Sequence, residues 1–185
     1  MSTYHHGALR SALLEAAGDI LETDGASALS LREAARRAGV SHSAPYRHFP
    51  NRDSLLAALA AEGFSLLREA AGKRPEGDMG LGYVEFALTH PHRFRLMFGG
   101  QLRLDEHPGL RAQAEENFAD LQGAFASLGA DAPFAAAAAW SLVHGLASLM
   151  LDGHFTRGQS ESGGATPFAR KVLGSMRAAR AQRSA

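Results

Sequence analysis

One segment, at positions 30–52, limits what this chain can fold into more than any other part of it. It reads SLREAARRAGVSHSAPYRHFPNR and predicts a short helix, a tight glycine turn and a second short helix. Five of its residues are arginine and one, Glu33, is acidic, whereas the whole chain balances 19 basic against 19 acidic side chains. The excess of positive charge is therefore local, and it marks where a polyanion would bind.

The first helix of this segment has clear ends. Ser30 and Glu33 have the spacing of a capping box, which predicts that the helix begins at the next residue, Leu31. Gly39 ends it, because glycine adopts a left-handed conformation at little cost. Val40 can then fold back onto the apolar face of the helix. Two helices that cross sharply in this way form a helix-turn-helix.

The second helix begins at Ser41 or Ser43, and the pattern leaves both open, because Pro45 is best tolerated in a first turn. We favour Ser43. Pro50 ends this helix, and Asn51 caps the longer helix that follows. The N-terminal end of the second helix combines a positive dipole, free N–H groups and small side chains, so that DNA can approach it closely.

Ten residues of this segment are candidate DNA contacts. Tyr46 and His48 are placed to meet phosphate, and Arg47 could reach a phosphate or a base. The alternative, that His42 and His48 are ordinary surface residues, stays open. The full set is Arg32, Ser41, His42, Ser43, Ala44, Pro45, Tyr46, Arg47, His48 and Arg52.

The pattern extends to both sides of the segment. It comprises His6-x-x-Leu9-Arg10, Leu13-Leu14-x-Ala16-Ala17, Leu31-Arg32-x-Ala34-Ala35-x-x-Ala38-Gly39-Val40-Ser41, Tyr46-Arg47-His48-Phe49 and Leu55-Leu56. In spacing, caps and turn glycine, these residues resemble the DNA-binding half of a TetR-type transcriptional regulator. The resemblance covers roughly the first third of the chain.

A second resemblance concerns the remainder of the chain. It is carried by Tyr83-x-x-Phe86-Ala87, Pro91-x-x-Phe94-Arg95-Leu96-Met97-Phe98 and Trp140-x-x-x-His144-Gly145. These residues are similar to a C-terminal ligand-binding domain that occurs in one TetR subgroup. The resemblance therefore implies that this part of the chain binds a small molecule.

The candidate ligand contacts centre on Trp140 and His144, which lie one helical turn apart on one face. Gly145 would permit a neighbouring helix to approach, and Arg93 could hold an anionic group of the ligand. The alternative is that these residues and the aromatic series only pack the core, with His144 buried and hydrogen-bonded. The candidate set is Phe86, His90, Arg93, Phe94, Met97, Phe98, Phe118, Phe125, Trp140 and His144.

Apolar residues recur at helical spacing almost throughout, which predicts an all-α fold of about nine helices. A three-helix head, residues 1–50, is expected to carry the helix-turn-helix. A long helix over about 52–71 joins it to a ligand-binding and dimerisation bundle, residues 51–185. Loops are predicted at 72–80, 99–109 and 153–166, and further helices over 81–89, 110–128, 132–152 and 167–180, with a short one beginning at Pro91.

The composition excludes several classes of protein. The chain has 185 residues and no cysteine, so disulfides, thiol chemistry and thiolate zinc sites are excluded. The longest apolar run, 132–140, is too short to cross a bilayer and contains Pro133. No signal-peptide core is recognisable at the N-terminus. We therefore expect no membrane partner and a cytoplasmic location.

Enzymatic activity is not expected, because none of the familiar catalytic motifs is present. His90 and His92 lack the i, i+4 spacing of a usual helical metal pair, and neither a metal nor another cofactor is predicted. The alternative function is a helical small-molecule or metal-binding protein with a vestigial DNA-binding head. Its ligands would be His90, His92, His144 and His154.

The resemblance implies a homodimeric repressor of transcription. Two heads would bind a near-palindromic double-stranded operator, and a small hydrophobic or aromatic ligand would release it. The predicted helix 132–152 and the last helix both have apolar stripes suited to a four-helix dimer interface. The interface residues implied are Leu142, Leu146, Leu149, Phe168, Val172 and Met176.

Overall fold

The computed structural model describes residues 6–74 and 78–183, with side-chain surroundings for 8–74 and 78–175, and all regular structure in these ranges is helical. The all-α prediction is confirmed. The α-helices of the described ranges are α1 (His6–Asp24), α2 (Leu31–Arg37), α3 (Arg52–Gly72), α4 (Met79–Thr89), α5 (Pro91–Phe98), α6 (Pro108–Gly123), α7 (Ala132–Leu151), α8 (Thr156–Glu161) and α9 (Ala165–Arg183).

Backbone contacts divide the chain into two compact units. The head unit contains the residues up to Ser65 together with His92–Glu116, and the body unit contains Leu66–Pro91 together with the residues from Asn117 onward. Helix α3 therefore contributes to both units, and most of α5 packs with the N-terminal helices. The functional division at residue 50 remains a prediction, because compactness reports only on packing.

The core of the head unit is built as the apolar stripe of α1 predicts. That stripe meets leucines of α3, and α5 and α6 each add one more. A leucine side chain that is fully buried in this way stabilises the fold by about 1.5–3 kcal/mol. The principal core residues are Leu13, Ala17, Ile20, Leu21, Leu55, Leu59, Leu96 and Leu110.

Helix α2 begins and ends at the predicted residues. The Ser30 hydroxyl accepts a hydrogen bond from the Glu33 N–H at 3.1 Å. Gly39 has φ of +67°, and the Val40 N–H donates to the Ala35 carbonyl at 3.0 Å. The second predicted bond of the capping box, from the Ser30 N–H to the Glu33 carboxylate, is wrong, because that carboxylate binds an arginine of the next turn instead. One side-chain bond thus begins this helix and one glycine ends it.

The second helix of the helix-turn-helix is shorter than predicted. It is a single 3-10 turn, Ala44–Arg47, and the Ser43 side chain makes no capping bond. Two prolines explain the difference. Pro45 has a fixed φ and no N–H donor, and Pro50 keeps Phe49 out of the α region. Only one turn fits between them.

Helix α3 begins with a complete capping box. The Asn51 side-chain oxygen accepts from the Ser54 N–H at 2.8 Å, and the Ser54 hydroxyl accepts from the Asn51 N–H at 3.2 Å. This confirms the predicted start at Arg52. With 21 residues the helix is about 32 Å long.

In the body unit, α4 packs against α7 and α9. Gly82 stands where α4 crosses α3 within this unit. A Cβ atom at this position would lie 2.7 Å from the Ala70 carbonyl oxygen, so the crossing requires glycine. Gly145 has no such role, because a Cβ there would meet nothing within 4 Å. The expectation that Gly145 admits a neighbouring helix is therefore wrong for the described part of one chain.

Two segments of the body unit differ from their prediction. Residues 153–166, predicted as a loop, contain α8, which lies beside the ring contact of Phe155 with Phe168 at 5.4 Å. Helix α6 ends at Gly123, short of the predicted 128, and Ala126–Asp131 forms a 3-10 segment instead. Elements this short leave little periodicity in the sequence.

The stretch Ala126–Leu151 bears on the expectation about membranes. It is the one helical stretch among the described residues that is long and apolar enough to cross a bilayer, and 22% of its most apolar window is buried. The run 132–140 is too short by itself, but the high average hydropathy continues past it. Length and composition are also met by helices of proteins that never enter a membrane.

Arg93, only 7% exposed, fastens α5 to its neighbours in the head unit. Its Nη1 donates to the Glu62 carboxylate at 2.9 Å and to the Leu59 carbonyl at 3.2 Å. Its Nε donates to the Glu22 carboxylate at 3.3 Å. These bonds join α5 to α1 and α3, so packing accounts for this arginine without an anionic ligand.

We expect Arg93→Ala to lower the free energy of unfolding by about 2 kcal/mol, because α5 loses the hydrogen bonds of the buried guanidinium to the Leu59 carbonyl and to the Glu62 and Glu22 carboxylates. Arg103→Ala is the control, since the Arg103 pair with Asp105 is exposed and its loss should leave the free energy of unfolding almost unchanged. Denaturant unfolding measures both values. Equal losses in the two variants would contradict the structural role of Arg93.

Candidate functional site

The turn Ala44–Arg47, hereafter the recognition turn, is held by buried residues and presents other side chains at the surface. Pro45 and Phe49 are buried in the head unit, while Tyr46 is 52% exposed and Arg47 is also exposed. Pro45 was predicted as a DNA contact, but its burial makes it an anchor of the turn. The anchors hold the side chains of Tyr46 and Arg47 at the surface.

The residues just before the recognition turn are exposed as well. Ser41, His42 and Ser43 lie at the surface, with the hydroxyls of the two serines 3.3 Å apart. Ala44 and His48 are half-buried. Small and polar side chains therefore surround the turn, which leaves room for close approach of a duplex.

Two of the five arginines of the segment are paired with acids. Arg36 donates twice to the Glu33 carboxylate, at 2.8 and 2.6 Å, and Arg37 donates to Asp24 at 2.6 Å. The hydrogen bond from Arg36 lowers the pKa of Glu33 to about 2. These two arginines are thus partly neutralised within the protein.

The remaining arginines differ in what they bind. Arg32 and Arg47 are exposed and have no acidic partner among the residues that the structure describes. Arg52 donates to main-chain carbonyls. Arg32, Arg47 and Arg52 therefore carry exposed charges that no acid among the described residues neutralises, and the Arg52 side chain is held in place by its carbonyl acceptors.

Sequence reasoning missed Arg10 as a site residue, although it belongs to the quoted motif. Its guanidinium lies 5.5 Å from the centre of the Phe49 ring, beside the end of the recognition turn, and the residue is exposed. The sequence alone could not pair positions 39 residues apart. Arg10 is therefore a third cation on this side of the head unit.

The predicted ligand contacts fall in both compact units. Those in the head unit pack its core: Phe98 meets Phe64 edge-on at 5.5 Å, and Phe94 lies 5.0 Å from Phe98. Met97 is half-buried against the same cluster. Phe86, His90, Phe118, Phe125, Trp140 and His144 belong to the body unit.

In the body unit, Tyr83 joins Trp140 and His144 in a hydrogen-bonded cluster. The Trp140 Nε1–H donates to the Tyr83 hydroxyl at 3.2 Å, and that hydroxyl lies 2.8 Å from His144 Nδ1. Phe118 lies 6.0 Å from the Trp140 ring, and Phe125 is half-buried. Sequence reasoning chose Trp140 and His144 but missed their shared partner.

The Tyr83 hydroxyl takes part in both hydrogen bonds of this cluster. An indole N–H only donates, so the Tyr83 oxygen accepts from Trp140, whereas the donor in the bond between Tyr83 and His144 Nδ1 depends on the tautomer of the imidazole. Burial lowers the pKa of His144 and raises that of Tyr83 above its ordinary value. Both groups are therefore neutral near pH 7.

An open groove of about 460 Å³ lies between the C-terminal half of α3 and α4, within the body unit. Only Phe86 and His90 of the predicted set line it, with their rings 5.2 Å apart. Two ion pairs that the sequence did not predict, Arg74 with Glu85 and Lys73 with Glu69, also line it. The complete lining is Leu66, Glu69, Ala70, Lys73, Arg74, Gly82, Glu85, Phe86, Thr89 and His90.

No group of three potential metal ligands occurs within residues 6–74 and 78–183. The four histidines of the alternative metal-binding function are divided between the units, with His92 in the head unit and His90, His144 and His154 in the body unit. The described geometry therefore offers this alternative no support.

A helix-turn-helix head followed by a helical second domain defines a class of bacterial DNA-binding regulators. The family model "Bacterial regulatory proteins, tetR family" matches residues 13–59, and "Tetracyclin repressor-like, C-terminal domain" matches residues 77–173. The chain belongs to the TetR family: it is a transcriptional regulator with an N-terminal DNA-binding domain. Members of this family are DNA-binding regulators rather than enzymes.

Solved structures agree with this assignment. A protein of unknown function from Rhodococcus sp. RHA1 is 30% identical, with 95% of this chain and 96% of that chain covered and a TM-score of 0.76. The TetR family transcriptional regulator PfmR from Thermus thermophilus is 18% identical, with coverage of 74% and 84% and a TM-score of 0.52.

The multidrug binding protein EbrR, solved with imidazole, is 22% identical, with coverage of 89% and 92% and a TM-score of 0.57. At this level of identity the likeness concerns the fold alone. No curated protein matches the sequence significantly.

We expect Tyr83→Phe to lower the free energy of unfolding by about 1–2 kcal/mol, because the Trp140 N–H and His144 Nδ1 both lose their shared partner. Tyr46→Phe removes an exposed hydroxyl and should change stability by less than about 0.5 kcal/mol. Denaturant unfolding compares the two variants. A loss of stability in Tyr83→Phe no larger than that in Tyr46→Phe would contradict the structural role of the cluster.

Proposed function

We propose that this TetR-family regulator is a repressor that binds a near-palindromic operator as a homodimer and is released by a small hydrophobic or aromatic ligand. The observation that carries the proposal is the exposed recognition turn, with Tyr46 and Arg47 held above buried anchors. Arg32, Arg47 and Arg10 supply phosphate contacts, and His42 and Ser43 meet bases. Such a regulator acts where bacterial DNA lies, in the cytoplasm.

Symmetry follows from the size of the head. One recognition turn of four residues reads too few base pairs to select a site, whereas two heads spaced by about 34–36 Å engage successive major grooves on one side of a duplex. A homodimer that presents two identical turns reads two half-sites of opposite orientation. The operator is therefore expected to be a near-palindrome.

The outer face of α7 supports a homodimer. Phe134 is 76% exposed and Leu149 is 42% exposed, although α7 is mostly apolar. Phe134 was not among the predicted interface residues. Leu146 was, but it is already buried within its own protomer. Leu142, Phe168 and Val172 are half-buried, and the side chain of Met176 lies outside the described residues.

The groove between α3 and α4 supports a ligand site in the body unit. Its volume falls in the range of small-molecule sites, and the apolar side chains of Leu66 and Phe86 line it beside its two ion pairs. Helix α3 lines the groove and continues without a break to Arg52, next to the recognition turn. A ligand that shifts α3 would change operator affinity, and operator would change ligand affinity by the same factor.

Arg47→Ala should weaken binding to all duplexes and lower the slope of log affinity against log salt by about one unit, because one phosphate contact is lost. Arg36→Ala is the matched control on the same segment, since Arg36 is already paired with Glu33. Binding to an operator selected from a random duplex library, titrated at several salt concentrations, gives both slopes. The proposal fails if the unchanged protein prefers no duplex sequence.

Leu149→Arg should convert the dimer to monomer, because a charge would be buried in the apolar interface without a partner. Leu104→Arg is the matched control, since Leu104 is 43% exposed in the head unit. Sedimentation equilibrium measures the mass of each variant. A dimer that survives Leu149→Arg would place the interface elsewhere.

A further inference from the structure

Arg52, the first residue of α3, stands where a positive charge is disfavoured. The N-terminus of a helix carries a partial positive charge, which repels cations and attracts anions. Its charge alone suggests a phosphate contact, and the sequence predicts one. The structure nevertheless provides main-chain acceptors for this guanidinium, although the residue is exposed.

Two main-chain carbonyls hold the Arg52 side chain. Its Nε donates to the Leu29 carbonyl at 2.8 Å, and its Nη2 donates to the Ala26 carbonyl. Both acceptors belong to the short 3-10 turn that precedes α2 and to the residue that ends it. The Leu29 side chain is buried, so a carbonyl there without a donor would be costly.

These bonds join the two ends of the helix-turn-helix segment. Leu29 directly precedes Ser30, the residue that caps α2, and Arg52 directly follows Asn51, the residue that caps α3. The whole segment 30–51 therefore lies between two points that one side chain joins. The planar guanidinium reaches two acceptors at once, which a single ammonium group cannot do in the same way.

We propose that Arg52 is a positioning residue for operator binding: it clamps the turn before α2 to the start of α3 and so fixes the orientation of the recognition turn. It does not act as a phosphate contact. This inference rests on the proposed function, because it concerns how the head is presented to an operator. It predicts that operator affinity depends on the two hydrogen bonds of the Arg52 guanidinium and does not depend on its charge.

The experiment compares Arg52→Ala, Arg52→Lys and Arg47→Ala for operator affinity over a range of salt concentrations. A clamp predicts about a tenfold loss of affinity in both Arg52 variants, with the salt slope of the unchanged protein. A phosphate contact predicts a slope lowered by about one unit in Arg52→Ala, as for Arg47→Ala, and recovery of affinity in Arg52→Lys. Either of these last two results would overturn the proposal.

Amide hydrogen exchange gives a second readout that does not depend on DNA. The Leu29 and Glu33 amides should exchange at least about tenfold faster in Arg52→Ala, while amides of α7 keep their rate. If the unchanged protein binds no duplex, the proposed function fails, and exchange alone decides the clamp: unchanged rates at Leu29 and Glu33 overturn it.

Two controls separate positioning from loss of stability. Arg93→Ala, destabilised elsewhere in the head unit, should keep its operator affinity under conditions where it is folded. If Arg52→Ala does not fold, Arg52→Lys carries the same comparison of slope and exchange. A loss of affinity in Arg93→Ala equal to that in the Arg52 variants would show that stability, and not position, explains the result.

Discussion

The burial of Pro45 and Phe49 is the constraint on which the exposed recognition turn depends. A single 3-10 turn has too few internal hydrogen bonds to hold its own shape in water. Two apolar anchors packed into the head unit supply what the turn lacks, and they determine that Tyr46 and Arg47 face outward. The core of the head unit thus supports the recognition turn, because Phe49 packs into it.

Pairing between side chains selects which charges remain for a polyanion. The segment 30–52 contains five arginines, yet Arg36 and Arg37 bind acids and Arg52 binds carbonyls. Among the residues that the structure describes, Arg32, Arg47 and Arg52 lie exposed without an acidic partner, and of these three the Arg52 side chain is held by carbonyls. A count of charges therefore overstates the phosphate-binding capacity of the head, and the difference lies in structural bonds.

The body unit combines a polar cluster that holds helices together with a groove that is still open. Tyr83 links α4 to α7 through Trp140 and His144, and burial keeps these groups neutral. The groove lies between α3 and α4, where Gly82 lets the two helices approach. Residues that resemble a family motif can thus serve packing, while the groove is lined by Phe86 of that motif together with residues outside it.

What the sequence determined by itself was local. Ser30, Gly39 and Asn51 set the ends of α2 and the start of α3, because caps and turns depend on groups three or four residues apart. The tertiary structure decided the partners of Arg52, Arg93 and Tyr83, which lie 23, 71 and 61 residues away. Bonds across such separations depend on how the helices pack. The periodicity of apolar residues does not indicate which polar groups that packing brings together.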